Sequence, residues 1–412
     1  MSEKTVADRP RGASIGFVLA TLGLDALGVG IIAPIVPGLV QELEHLPPEQ
    51  AAPWVGALIA AYAGVQFFAA PLLGALSDRF GRRPVILASV FGIGLDYILL
   101  ALAPSMWWLF LGRLIAGATS ANVAAATAYN VAAATAYIAD VSSQKDRSSR
   151  FGLVGATFGA GFVIGPAIGG WLGGYGLRWP FYAAAALAFA NFLYGALVLP
   201  ESLRPEDRRP VSLARANPFG LLRGVWRDPA LRSMAIAWSC SWVGLGAVQS
   251  SLVLFTRYRF GWDAGANGLV LAGIGLSQAV TEGFLLTRIT ARLGDRRTAL
   301  LGYTAAALGY ATLALALAGW MLAPAVVLLA LGGLAIPSVR AMVSSRGGVD
   351  HQGEMQGVLT AVEGLTAVAA PLLTAWLFYA FTSPAVPVRF AGAPFMVAAG
   401  GALFAGALLR RR

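Results

Sequence analysis

The chain has 412 residues, of which 57% are hydrophobic and 12% are charged, and its formal net charge is +10. Soluble proteins have about 25% charged residues, and no single soluble core could bury this much apolar surface. Many runs of about 20 apolar residues instead indicate membrane-spanning helices. The single Cys240 excludes a disulfide framework and a multi-cysteine metal site. Two histidines far apart in sequence argue against metal chemistry.

Twelve apolar stretches predict an all-α integral membrane protein with twelve transmembrane helices. They are 14–36, 53–75, 84–104, 106–137, 151–174, 179–199, 231–255, 265–289, 298–318, 320–343, 357–381 and 388–409. The connections alternate in positive charge, and loops rich in Lys and Arg stay in the cytoplasm. The basic stretches 79–83, 145–150 and 292–297 therefore predict that both termini are cytoplasmic. The same rule explains the positive net charge without a nucleic-acid partner.

The arginine-rich connection 201–230 divides the chain into two sets of six predicted helices. We therefore expect an N-terminal six-helix bundle at 1–200 and a C-terminal one at 231–412. Segments 74–103 and 291–318 also resemble each other, since each has a basic turn followed by a Gly-containing helix that ends in LALA. Parallel six-helix repeats build one large class of transporters. The alternative is chance similarity between two apolar helices, and the shared basic turn favours the repeat.

The stretch GALSDRFGRRPV at 74–85 is the most specific motif of the chain. Its ordered residues are Gly74, Asp78, Arg79, Gly81, Arg82 and Arg83. The alternative is an ordinary basic turn of the kind that all membrane proteins have. The ordered combination is rarer, and it resembles the loop between helices 2 and 3 of the major facilitator superfamily. In that family the loop is a latch between the two halves, and LGDRR at 293–297 matches its weaker second copy.

A second motif, GFVIGPAIGG at 161–170, lies in the fifth predicted span. Gly161, Gly165 and Gly169 recur every four residues, so they share a helix face that lets another helix approach closely. Pro166 is expected to kink this helix. The alternative is an ordinary tight helix contact. The pattern resembles the motif that marks drug/proton antiporters, as opposed to importers, within the same superfamily.

Three charged residues lie inside predicted spans of the N-terminal half: Asp25, Asp96 and Arg113. Intramembrane charges are costly and usually functional, although Asp96 and Arg113 could also form a structural ion pair. With YIADVSSQKDRSSRFG at 137–152 they resemble the twelve-helix tetracycline/proton antiporters. The resemblance covers most of the chain. It implies that Asp25 and Asp96 couple protons to substrate and that Arg113 tunes Asp96.

The C-terminal half departs from that family. Its essential Asp before a Gly-Tyr pair is Ala306 here, and its helix 8 His is Gln278. Two acids that the family does not lead us to expect, Glu282 and Glu363, appear together with Arg340. One interpretation is a relocated proton or substrate site. The other is a structural pair between Glu363 and Arg340, and the sequence does not choose between them.

Further candidates for the substrate cavity are uncharged. Three glutamines could hydrogen-bond a polar ligand or, as is commoner, cap contacts between helices: Gln66, Gln249 and Gln278. Three aromatic residues could line a drug pocket, although a lipid-facing or interfacial position is commoner for each: Phe67, Trp238 and Trp242.

The resemblance implies a proton-coupled antiporter that exports tetracycline or a related amphiphilic antibiotic by alternating access. It implies a functional monomer in a bacterial inner membrane and no cofactor, with the substrate carried as such or as its Mg²⁺ chelate. A carboxylate in a low-dielectric cavity can exchange protons near neutral pH, which would provide the coupling. The alternatives are efflux of a different drug or metabolite, and proton-coupled import. An enzyme is not expected, because no phosphate loop, nucleophile elbow or triad is found.

The octapeptide NVAAATAY occurs twice in succession, at 122–129 and 130–137, inside the fourth predicted span. Such an insertion lengthens a helix by about 12 Å and rotates the remainder of the helix by about 80°. It either reshapes the cavity wall and the substrate range, or it protrudes and is nearly neutral. Deleting residues 130–137 and testing a panel of drugs distinguishes the two.

Overall fold

The computed structural model describes residues 11–119, 147–199, 201, 203, 206, 228–345, 348–384 and 386–410. Within them the chain forms these α-helices: α1 Arg11–Ile32, α2 Val36–Glu44, α3 Pro48–Phe80, α4 Arg82–Leu102, α5 Met106–Thr119, α6 Arg147–Gly173, α7 Trp179–Val198, α8 Pro229–Phe260, α9 Ala264–Val280, α10 Leu286–Ala314, α11 Leu322–Gly332, α12 Ala335–Ser344, α13 Gly348–Thr382 and α14 Ala393–Arg410. A π-helical turn, Thr281–Leu285, joins α9 to α10. The duplicated octapeptide lies outside the described residues.

The helices confirm the all-α membrane fold, and each predicted span overlaps at least one of them. Eight helical segments of the described chain are long and apolar enough to cross a membrane, or nine if α1 and α2 count as one bent span. The first and tenth predicted spans break at 33–35 and 333–334. Pro37 and Pro337 lie in the first turn after each break, where a missing N–H costs least.

Two glycine turns share one backbone conformation. Gly81, between α3 and α4, has φ 107° and ψ 157°, and Gly294, inside α10, has φ 74° and ψ 163°. This region of φ/ψ space is essentially restricted to glycine. Gly294 therefore separates the predicted spans 265–289 and 298–318, which otherwise form one helical run. The matching turns support the predicted repeat between 74–103 and 291–318.

The helices before and after the connection 201–230 meet along two lines, α3 against α13 and α6 against α9. A Cβ atom on Gly56 of α3 would lie 2.6 Å from the Cβ of Ala375. Further along α3, a Cβ on Gly74 would meet no atom within 4 Å. This face of α3 is therefore open near the end of the molecule that carries the turns at Gly81 and Gly294, which we call the basic end. The division at 201–230 itself stays a prediction, since most of that segment is outside the described residues.

The buried apolar residues show the same asymmetry. One cluster joins the two halves at the end opposite the basic end and includes Ile35 and Leu39 together with Phe255 and Phe378. A second cluster, around Tyr303, is built from C-terminal helices alone. The described residues therefore close the space between the halves at the opposite end.

Candidate functional site

Asp96 of α4 and Arg113 of α5 form a buried ion pair. The Nη2 atom of Arg113 donates to Oδ2 of Asp96. The Arg113 side chain is 16% exposed and the Asp96 side chain is 1% exposed. Gly112 makes this pair possible, because a Cβ at that position would lie 2.6 Å from Oδ1 of Asp96. A buried charge that loses its partner typically costs about 3–5 kcal/mol. The ion pair foreseen for these two residues is confirmed.

Two residues of α3 complete this site. The guanidinium carbon of Arg113 lies 5.7 Å from the centre of the Tyr62 ring. The Nε2 atom of Gln66 donates to the Tyr62 hydroxyl at 3.1 Å. We call Tyr62, Gln66, Asp96 and Arg113 the N-terminal polar cluster. Sequence reasoning found Gln66 but missed Tyr62, although its spacing of four residues places both on one helix face.

Asp25 lies in α1, and its side chain is outside what the structure describes. A side chain of α4 reaches α1 just beyond this residue. A Cβ on Gly28 would lie 3.1 Å from the hydroxyl oxygen of Tyr97, which follows Asp96 in sequence. Asp25 therefore lies on a helix that Tyr97 contacts, and its part in coupling stays a prediction.

The predicted glycine face of α6 packs against α1. A Cβ on Gly165 would lie 2.7 Å from the carbonyl oxygen of Leu27, and Gly161 and Gly169 meet the α1 main chain in the same way. Pro166 lies inside α6 between two of these glycines. The close approach expected from this motif is therefore confirmed, and it joins α6 to the helix that carries Asp25.

In the C-terminal half, Gln278 and Glu282 lie on one face, as their spacing predicts. The Nε2 atom of Gln278 donates to Oε1 of Glu282 at 2.9 Å. Glu282 is part of the π-helical turn, a feature that is frequent at functional sites. A Cβ on Gly333, at the break between α11 and α12, would lie 3.2 Å from Nε2 of Gln278. The pair thus lies beside an irregular stretch of a neighbouring helix.

Arg340 of α12 contacts an aromatic ring. Its guanidinium carbon lies 5.3 Å from the centre of the Trp238 ring. Trp238 is fully buried. The expectation that it faces lipid or the membrane interface, as is commoner for tryptophan, was therefore wrong. Glu363 of α13 is 7% exposed. The structure gives Arg340 this cation–π contact, and the choice between a relocated site and a pair with Glu363 stays open.

The remaining cavity candidates have different surroundings. Phe67 of α3 crosses to the other half and packs against Gly364 of α13. Gln249 is exposed on α8. Ala306, at the position of the family's essential Asp, packs against α11, and a Cβ on Gly332 would lie 2.8 Å from its Cβ. This position is therefore a tight contact between small residues.

The turn around Gly81 is held by Glu201, a residue that sequence reasoning did not single out. The Glu201 carboxylate accepts hydrogen bonds from the backbone N–H groups of Arg82 at 2.9 Å and of Arg83 at 3.2 Å. A carboxylate at a helix N-terminus is stabilised by the free N–H groups and the helix dipole. Asp78, the other acid of this region, is exposed. Glu201, and not the nearby Asp78, therefore occupies the N-terminus of α4.

Comparison with known proteins agrees with this architecture. Residues 18–371 and 258–412 match the family model of the Major Facilitator Superfamily. The chain is 40% identical to the class C tetracycline resistance protein of Escherichia coli, over 89% of this chain and 90% of that one. It is 41% identical to the class G protein of Vibrio anguillarum, over 86% and 87%.

Among solved structures, a mutant of the nucleoside transporter NupG superposes with a TM-score of 0.78 at 13% identity, over 96% of this chain and 99% of that one. This likeness concerns the fold alone. The sequence matches assign the protein to a family. The chain belongs to the major facilitator superfamily and is a membrane transporter, not an enzyme.

Proposed function

We propose that this transporter exports tetracycline, or a related amphiphilic antibiotic, in exchange for protons. The observation that carries the proposal is 40% identity, over nearly the whole chain, to a protein named for tetracycline resistance. The buried pair of Asp96 and Arg113 supports it, since transporters place titratable acids inside the membrane to bind ions and substrates. Asp25 is the second acid in this proposal, and Glu282 and Glu363 are the C-terminal ones.

Transport would proceed by alternating access. The two halves would rock about the space between them and expose it to each side in turn. A proton that binds a carboxylate removes the charge that holds a cationic or metal-chelated substrate, so that proton entry can drive release outward. Arg113, the cation paired with Asp96, would tune that carboxylate electrostatically.

The basic end is the cytoplasmic end in this proposal. Arg79, Arg83 and Arg296 lie there, and positive residues are retained in the cytoplasm. Both chain ends would then be cytoplasmic, in the inner membrane of a bacterium, with the protein acting as a monomer. With the opposite end closed by the buried apolar cluster, drug would enter from the cytoplasm.

A second candidate is export of a different drug or metabolite. Ala306 favours it, because the resembled antiporters carry an acid at that position and here it is a small-residue contact with Gly332. The C-terminal acids Glu282 and Glu363 would then provide a different set of charges. Import is the weaker alternative, since the glycine face of α6 resembles the motif of exporters.

Uptake of tetracycline into inverted membrane vesicles tests the proposal. We expect accumulation that a protonophore abolishes and that Asp25→Asn or Asp96→Asn lowers at least about 10-fold. Gly400→Ala is the matched control, since a Cβ at Gly400 meets no atom within 4 Å. If energised vesicles accumulate no tetracycline, tetracycline is not the substrate. A panel of other drugs would then test the second candidate, export of a different compound.

A further inference from the structure

Three N–H donors of the C-terminal half are buried and donate no hydrogen bond to any described residue. They are Nε of Arg340 and Nε1 of Trp238 and Trp242. More than 90% of buried polar groups in native proteins have a partner. A buried donor without one costs about 1–3 kcal/mol, and more when it is charged. Three such donors in one region therefore require an explanation.

The three donors are close together. The guanidinium carbon of Arg340 lies 5.3 Å from the centre of the Trp238 ring. Trp242 follows Trp238 by four residues on α8 and so lies on the same helix face. Trp238 is fully buried, whereas Trp242 and Arg340 are partly exposed. We call these three residues the donor cluster, and its accessible edge is formed by Trp242 and Arg340.

The donor cluster lies at the level where the two halves of the transporter meet. Gly246 of α8 packs against Ala370 of α13, at 2.7 Å between the Cβ of Ala370 and a Cβ placed on Gly246. Counting back seven residues, or about two turns, along each helix from this contact leads to residue 239 on α8 and Glu363 on α13. These two positions therefore lie at the same level. Trp238 and Trp242 flank this level on α8. The next residue of α13, Gly364, packs against Phe67 of the other half.

The chemistry of the donor cluster selects an anion. A guanidinium presents N–H donors in a planar fork that matches the two oxygens of a carboxylate or a delocalised enolate. The Trp238 ring holds the guanidinium from one side by a cation–π contact. The indole N–H of Trp242 adds a directed donor beside an apolar ring. The neighbouring carboxylate of Glu363 favours a ligand that also carries a positive charge.

We propose that Arg340 and Trp242, with the Trp238 ring holding the guanidinium, bind the anionic group of an amphoteric substrate, a carboxylate or enolate on a planar ring system that also bears an ammonium group. This inference rests on the proposed function as a drug exporter. It adds to it a substrate chemistry and a binding subsite in the C-terminal half, where the resembled family's essential acid is absent. The positive charge of the substrate would lie towards Glu363.

A pair of probes that differ only in the anion tests the subsite. Norfloxacin is a planar ring with a carboxylate and an ammonium group, and its methyl ester lacks the anionic charge. Competition between each compound and tritiated norfloxacin is measured on purified transporter in detergent. We expect the acid to compete at least about 10-fold better than the ester, as a charged hydrogen bond implies.

Variants then assign the preference to the donor cluster. Arg340→Gln should bring the ratio of acid to ester affinity close to one, and Arg340→Lys should retain part of it. Trp242→Phe keeps the ring and removes the N–H, so the acid should lose affinity several-fold while the ester is unchanged. Arg389→Gln removes the same charge from an exposed position and should leave the ratio intact. Size-exclusion profiles identify any variant that has not folded.

Three results would overturn the subsite: no norfloxacin binding, equal competition by acid and ester, or an acid preference that persists in folded Arg340→Gln. Tetracycline uptake by the same wild-type protein separates this failure from that of the proposed function. If the acid preference depends on Arg340 but the protein does not transport tetracycline, the subsite is supported and tetracycline is ruled out as the substrate. Tetracycline transport without any acid preference would retire the subsite alone.

Discussion

Arg83 and Arg296 hold equivalent places in the two halves of the transporter. Each lies two residues after a glycine with positive φ, Gly81 or Gly294. The Nη2 atom of Arg83 donates to the carbonyl oxygen of Ala196 near the end of α7, at 2.7 Å. Arg296 donates to the carbonyl oxygens of the last two described residues of α14, at 3.0 Å and 2.9 Å. Each arginine thus ties the basic turn to the last helix of its own half.

Arg296→Gln should lower the free energy of unfolding by about 1–3 kcal/mol, since a charged donor loses two hydrogen bonds at a helix C-terminus. Denaturation of the purified protein in detergent measures this. Arg292→Gln, in the same turn at an exposed position, is the control and should change stability little. Equal effects of the two variants would show that the carbonyl contacts of Arg296 contribute nothing.

Gly112→Ala should disable transport by displacing the buried carboxylate. The added methyl group would lie 2.6 Å from Oδ1 of Asp96, so the ion pair with Arg113 has to shift. A displacement of about 1 Å in a functional site can cost about 100-fold in rate, and we expect at least about a 10-fold loss of proton-driven tetracycline uptake. Gly400→Ala should transport like the wild type. Full activity of Gly112→Ala would mean that the pair tolerates rearrangement.

Removing one partner of the ion pair should cost more than removing both charges. Arg113→Gln leaves the Asp96 carboxylate buried without its cation, at a cost of about 3–5 kcal/mol. Adding Asp96→Asn to Arg113→Gln should restore part of that stability, because no charge then stays buried. The measurement is a double-mutant cycle of unfolding free energies in detergent. Additive losses would argue that the two side chains are not coupled.

The sequence predicted what depends on local patterns. Hydrophobic runs located the spans, and the spacing of Gly161, Gly165 and Gly169 predicted their common face. These features need only the periodicity of a helix. The ion pair of Asp96 and Arg113 was one of the two interpretations that the sequence left open for these charges.

Contacts between distant segments could not be read in this way. Glu201 accepts a hydrogen bond in the turn at Gly81 although more than a hundred residues separate them in sequence. Arg340 likewise contacts the ring of Trp238, about a hundred residues away in sequence. Tyr62 looked like any aromatic residue of an apolar span. Such contacts depend on how the helices pack in three dimensions, which the periodicity of one helix does not contain.

Gly81→Ala should be more damaging than Gly294→Ala. Both positions have a backbone conformation that is costly for alanine, about 1–3 kcal/mol. At Gly81 the new methyl group would also collide with the Glu201 carboxylate, whereas at Gly294 no atom lies within 4 Å. Unfolding free energies of the two variants give the comparison. Adding Glu201→Ala to Gly81→Ala should relieve the collision but remove the N-terminal cap of α4, so the double variant should not return to wild-type stability.

Accessibility to a membrane-impermeant maleimide should report which end of the transporter is open. In a Cys240→Ser background, Gly74→Cys introduces a thiol where α3 has no neighbour within 4 Å. Ser251→Cys is nearly isosteric, and its side chain is fully buried at the closed end, where Ser251 hydrogen-bonds the main chain of Thr374.

Inverted vesicles expose the cytoplasmic face, so Gly74→Cys should react rapidly there and Ser251→Cys slowly. A rapid reaction at Ser251→Cys together with protection at Gly74→Cys would mean that the opposite state dominates in the membrane. Rapid labelling of Gly74→Cys in right-side-out vesicles alone would reverse the proposed orientation. The two vesicle preparations thus test the conformation and the positive-inside assignment separately, because the first depends on helix packing and the second on loop charge.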